Sequence, residues 1–137
     1  MIVLDASVVA AALADDGDDG DIARARLAGE QLFAPGIVDL EVVRVVRTAL
    51  AAGRIDGRRA AMAIGDLCDL AIERVWTPVL LPRIWELGPD LAPEDAAYLS
   101  LAEALGATVV TADRRLARAA QSAGARCAVE LLDEAET

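Results

Sequence analysis

The stretch Thr108-Val109-Val110-Thr111-Ala112-Asp113-Arg114-Arg115-Leu116 decides the fold, because four β-forming residues run straight into an acid that opens a helical pattern. The same order stands at the start of the chain, where Ile2-Val3-Leu4 precedes Asp5-Ala6-Ser7 and an Ala-rich helix over residues 6–14. Between these points short β-type runs alternate with longer helical patterns. Strands are predicted at 32–34 and 73–76, helices at 37–52, 57–71 and 94–105. Beyond Asp113 come a helix to about Gly124 and a last strand at 126–129. This alternation predicts an α/β fold, a central parallel sheet of about four to five strands covered by helices.

Punctuation supports these bounds. Gly53 and Gly106 stand where helices stop, and Pro93 stands just before the helix that Gly106 closes. The run Asp15-Asp16-Gly17-Asp18-Asp19-Gly20-Asp21 lacks the closing Glu of a calcium loop and reads as a solvated turn that gives an acidic N-cap to a helix over 22–28. Residues 78–91, carrying Pro78, Pro82 and Pro89, hold one short helix, and the polar tail at 132–137 is expected to fray. On the 37–52 helix Val38, Val42, Val45, Val46 and Ala49 share one stripe, with Glu41 half-buried at its edge.

A chain of 137 residues suits one compact domain with a real hydrophobic core, so residues 1–137 are read as a single domain. The apolar fraction is 55% with one Phe, one Tyr and two Trp, so Ala, Val and Leu must fill that core. The absence of histidine excludes the usual zinc sites, Ser-His-Asp catalysis and imidazole acid–base chemistry. All 13 basic residues are Arg, which excludes Schiff-base chemistry and the lysine of a phosphate-binding loop. Against them stand 23 acids, and the net charge of −10 has the wrong sign for general binding to nucleic acid. A nucleic-acid substrate would need metal ions or a local Arg patch, whereas a basic protein partner suits this acidity. Cys68 and Cys127 form no C-x-x-C pair and read as buried small apolar residues in a reducing compartment. With Asp5 interrupting the apolar start and no bilayer-length apolar run, a cytoplasmic protein without a membrane partner is expected.

Four acids carry the chemistry. Asp5 and Asp113 follow strands and precede helices, so each is a good helix N-cap, and Asp95 in a first helical turn is favoured by the macrodipole alone. Glu41 lies inside a helix beside apolar residues, where an ion pair with Arg44 is the plainest account of it. Topology changes the weighting, because ligand sites in open α/β sheets form outside the carboxyl ends of the strands, where Asp5 and Asp113 both stand. Carboxylates gathered there repel one another unless some take up protons or a hard divalent cation, Mg²⁺ or Mn²⁺, joins them. Such an ion permits phosphodiester hydrolysis without histidine or lysine.

Four motifs stand in order over nearly the whole chain: Ile2-Val3-Leu4-Asp5-Ala6-Ser7, Leu40-Glu41-Val42 with Arg47, Asp95-Ala96-Ala97-Tyr98-Leu99-Ser100-Leu101-Ala102-Glu103, and Thr111-Ala112-Asp113-Arg114-Arg115-Leu116. Through them the chain resembles the PIN-domain ribonucleases and, within them, the VapC toxins of VapBC toxin–antitoxin modules. The resemblance implies a PIN-like three-layer α/β/α fold and a Mg²⁺- or Mn²⁺-dependent endoribonuclease. Asp5, Glu41, Asp95 and Asp113 are then the catalytic, metal-binding carboxylates, with Ser7 and Thr111 as supporting hydroxyls. It further implies a homodimer and inhibition by a VapB antitoxin whose C-terminal segment covers the active groove.

Arg44, Arg114, Arg115 and Arg118 are expected near the crevice, in reach of RNA phosphates or antitoxin acids, against the plainer reading of solvated helix surface. Glu94 departs from the family pattern, in which many relatives carry an aromatic residue before the Asp. A phospho-receiver domain would need an acidic pair after the first strand and a lysine near the last, and this chain has neither. An inactive PIN domain kept as a binding module would have less need of all four carboxylates. The stretch around Trp76 and Trp85 reads as core or dimer surface.

Overall fold

Five strands pair in one wholly parallel sheet in this computed structural model, which describes residues 1–132. They are β1 (Ile2–Leu4), β2 (Leu32–Pro35), β3 (Ile72–Val75), β4 (Thr108–Thr111) and β5 (Val129–Leu131), in the order β3-β2-β1-β4-β5. Residues 133–137, most of the tail expected to fray, lie outside the described residues. β1 is apolar and buried at every position, as a central strand covered on both faces requires. Its register against β4 pairs Ile2 with Thr108 and Leu4 with Val110, which brings Asp5 level with Thr111.

Seven helices join the strands: α1 (Ala6–Ala14), α2 (Asp18–Leu27), α3 (Val38–Ala51), α4 (Gly57–Asp69), α5 (Leu81–Glu86), α6 (Pro93–Leu105) and α7 (Arg114–Ala123). The chain steps from β1 to β2 to β3 in one direction, then returns past β1 to β4 and β5. Right-handed crossovers in opposite directions put α1 to α4 on one face and α5 to α7 on the other, giving three layers. Accordingly α1 packs on α2, α3 and α4, while α6 lies along β1, β2 and β4. The reversal leaves a crevice between the carboxyl ends of β1 and β4. No helix among the described residues is long and apolar enough to cross a membrane.

Three predicted elements shift. The acidic run does not cap a helix at residue 22; α2 begins at Asp18 behind Gly17, whose N–H donates to Asp15 Oδ1 at 2.7 Å. Asp18, Asp19 and Asp21 therefore sit in the first turn, where the helix dipole favours them. β5 lies at Val129–Leu131 rather than 126–129, because α7 ends at Gly124 in the left-handed conformation (φ 70°) and the chain needs the next residues to turn back onto β4. β3 starts one residue earlier than predicted, at Ile72, and Val45 leaves the α3 stripe, exposed where Val38, Val42 and Val46 are buried. Neither cysteine is buried as expected: Cys68 is exposed on α4, whose Ala60, Ala63 and Leu67 face the core instead, and Cys127 is half-buried. Residues 77–86 form a 3₁₀ turn (Thr77–Leu80) followed by α5.

Candidate active site

Asp5 follows β1 directly and occupies the N-cap position of α1, yet its side chain makes no capping bond. Instead Oδ2 accepts from the hydroxyls of Ser7 at 2.7 Å and Thr111 at 2.8 Å. Those hydroxyls are themselves held, since Ala112 N–H donates to Ser7 Oγ and Asp113 N–H to Thr111 Oγ1. The first and fourth strand ends are thus stitched together through one carboxylate. Burial pushes the Asp5 carboxyl above its ordinary value, against the pull of both hydroxyls, and Asp113 adds a smaller upward push.

Glu41 stands half-buried on α3, facing the same crevice. The predicted ion pair with Arg44 is absent among the described residues; Glu41 Oε1 instead accepts from the Tyr98 hydroxyl at 2.6 Å. Tyr98 is fully buried on α6, and loss of water around its hydroxyl, followed by the Glu41 charge, raises it well beyond the ordinary tyrosine range. It therefore stays a donor. Burial raises the Glu41 carboxyl too, helped by repulsion from Asp5, Asp95 and Glu94.

Asp95 comes from the first turn of α6, which Pro93 starts, and is buried. Asp113 does cap α7, with Oδ1 accepting from Arg115 N–H at 2.9 Å. The Arg115 guanidinium joins the two acids: Nη1 donates to Asp95 Oδ2 at 2.7 Å, and Nη2 reaches Asp95 Oδ1 at 3.3 Å and Asp113 Oδ2 at 3.1 Å. Of the four arginines expected near the crevice, Arg115 alone is bonded to its acids. Arg44 is exposed on α3, while Arg114 and Arg118 line a groove between α7 and β5.

All four predicted acids therefore lie at the carboxyl edge of β1 and β4 or on helices that face it, and each has a defined partner. As they stand, no group of three or more acids among the described residues is arranged to hold a metal ion. The donor chemistry nonetheless fits a hard divalent cation. Apart from the Arg115 guanidinium, the side chains that meet there offer carboxylate and hydroxyl oxygens, and Asp5 and Glu41 are raised toward protonation, chiefly by burial, with only hydroxyls as side-chain partners. Two pairings were not foreseen in the sequence: Tyr98 with Glu41, and Arg115, expected near the crevice for RNA or antitoxin, with the chain's own Asp95 and Asp113. A lone Tyr three residues after an acid on an otherwise Ala- and Leu-rich helix is the signal that could have found the first.

A PIN domain family model matches residues 2–122. Ribonuclease VapC9 of Mycobacterium tuberculosis (strain H37Rv) is 41% identical over 125 residues, covering 89% of this chain and 93% of that protein. Ribonuclease VapC12 of the same strain is 33% identical over 132 residues, 96% of this chain and 99% of that protein. Among solved structures the fold is similar to that of M. tuberculosis VapC20, a Sarcin-Ricin loop cleaving toxin, with a TM-score of 0.66 at 16% identity over 87% of this chain and 95% of the other. It is also similar to a chain of VapBC2 from Rickettsia felis bound to a DNA fragment from its promoter, with a TM-score of 0.59 at 16% identity over 97% and 100%.

Proposed function

The chain belongs to the PIN-domain family and, within it, to the VapC ribonucleases, and from that premise we propose that it is a Mg²⁺- or Mn²⁺-dependent endoribonuclease and the toxin of a toxin–antitoxin pair. One observation carries the reading: Thr111 ties the Asp5 carboxylate at the end of β1 to the start of α7, where Asp113 shares the Arg115 guanidinium with Asp95 of α6, so acids from separate elements meet at one sheet edge. Asp5, Glu41, Asp95 and Asp113 would hold the ion. Once bound, it supplies an activated water and neutralises charge on the phosphate.

The chain's own groups prepare that step. Ser7 and Thr111 fix the Asp5 carboxylate in one orientation, and Tyr98 does the same for Glu41, so both are placed before RNA arrives. Arg44 and Arg114, exposed and without an ion pair among the described residues, are free to meet RNA phosphates in an otherwise acidic molecule.

A groove of about 440 Å³ starts at Ser7 and runs between α1 and α3, past Ala10, Ala14, Val45 and Ala49. Its position and apolar walls suit the C-terminal segment of a VapB antitoxin. The core alternative for Trp76 and Trp85 is excluded, since they are 73% and 87% exposed; with exposed Val79 and Leu81 they support a homodimer contact. The proposed whole is a single PIN domain over residues 1–137, acting in the cytoplasm.

Purified protein is expected to cleave RNA with Mg²⁺ or Mn²⁺ and to stop on adding EDTA. Cleavage that survives EDTA, or that persists in Asp5→Asn, overturns the metal mechanism.

A further inference from the structure

We infer that Arg115 is an internal counter-cation of the acid site, a positioning residue that the metal ion has to displace; this rests on the metal reading above. Its guanidinium uses both oxygens of Asp95 and one of Asp113, joining the start of α6 to the start of α7. Asp95 has no other ionic partner among the described residues, and its side chain is 10% exposed against 63% for Arg115. The quartet is therefore split. Two acids share one cation that the chain supplies, and the other two have only the hydroxyls of Ser7, Thr111 and Tyr98 as side-chain partners.

An ion that shared Asp95 and Asp113 would compete for lone pairs the guanidinium already occupies. Arginine does not give up its proton, so the competition is relieved only by moving the side chain. Its exposure leaves room for that movement. Removing Arg115 has two opposite consequences: the metal-free protein loses a bridge between two helices, and the metal loses a competitor. A residue that merely braced the fold would produce the first without the second.

The measurement is calorimetric titration of EDTA-stripped, dialysed full-length protein with Mn²⁺, alongside thermal unfolding by circular dichroism in EDTA. Arg115→Ala should lower the Mn²⁺ Kd roughly fivefold, the equivalent of about 1 kcal/mol for a part-exposed ion pair, while lowering the metal-free Tm. Arg115→Lys keeps the charge without the two-pronged fork and should fall between. Arg118→Ala removes the same charge from the same helix without touching the acids, and should change Kd by at most about twofold. An Arg115→Ala Kd equal to or weaker than wild type overturns the inference, as does equal tightening by Arg118→Ala. If wild type and variants alike bind no Mn²⁺, the metal reading falls, and this inference with it.

Discussion

At Asp5 a single carboxylate carries both a structural cost and the proposed chemistry. It is buried, held by two hydroxyls and raised above its ordinary value of 3.8 chiefly by loss of water. Below that value the folded and unfolded chains are both protonated at this position and it costs nothing. As pH climbs through the raised value the unfolded chain ionises first, so stability is lost on going up in pH. Glu41, also raised, adds in the same direction. Asp5→Asn keeps the shape and removes the charge, so metal-free Asp5→Asn should unfold above wild type near neutral pH by about 1 kcal/mol, or 3–5 °C for a chain of this size. The advantage should fade toward about pH 4, where the wild-type carboxyl is protonated. Circular dichroism melts in EDTA across this range test it, and a variant less stable than wild type at neutral pH would sink the idea. Asp5, Asp95 and Asp113 were legible as candidates from their places beside strand ends and helix starts, and Glu41 from its place at the edge of an apolar helix stripe. Their partners were not, because a hydrogen bond between Tyr98 and Glu41 spans 57 residues and depends on how α3 meets α6.

Elements bounded by strong local signals appear where the sequence puts them. α6 runs from Pro93 to Leu105 and stops at Gly106 with φ 63°, a stop for which glycine suffers no penalty. β5, short, at the sheet edge and half-buried throughout, has no alternation to anchor it, and its position is set by pairing with β4. The start of α2 was hidden for another reason: three aspartates look like a turn until the preceding helix is placed beside them. There Gly20 allows a close approach, since a β-carbon at this position would run into the Asp15 carbonyl at the end of α1. The obstacle is backbone, which cannot swing aside. Gly20→Ala should therefore cost at least about 2 kcal/mol despite its better helix propensity. Urea denaturation provides the measure, and a neutral or stabilising result would show that α1 and α2 can separate freely.

The molecule as a whole combines an acidic surface, a five-stranded sheet and a small apolar patch. Its layering was legible because parallel strands demand crossovers, and crossovers demand helices on both faces. Where the proposed dimer would meet was not legible, since composition does not tell a core tryptophan from a surface one. With Trp85 87% exposed, Trp85→Glu should leave the fold intact and convert the proposed dimer to a monomer by light scattering. A variant that remains dimeric would move the contact elsewhere on the molecule.

That placement of the aromatic residues also dictates what light can report. Trp76 and Trp85 are the chain's two tryptophans, and both already sit in water in the folded monomer. Unfolding moves neither from an apolar surrounding into solvent, so intrinsic fluorescence should change little as the monomer melts. When another surface covers the patch, the indoles leave water and their emission shifts to the blue. An unlabelled sample thus carries its own gauge of association, nearly blind to the folding of the sheet beneath it.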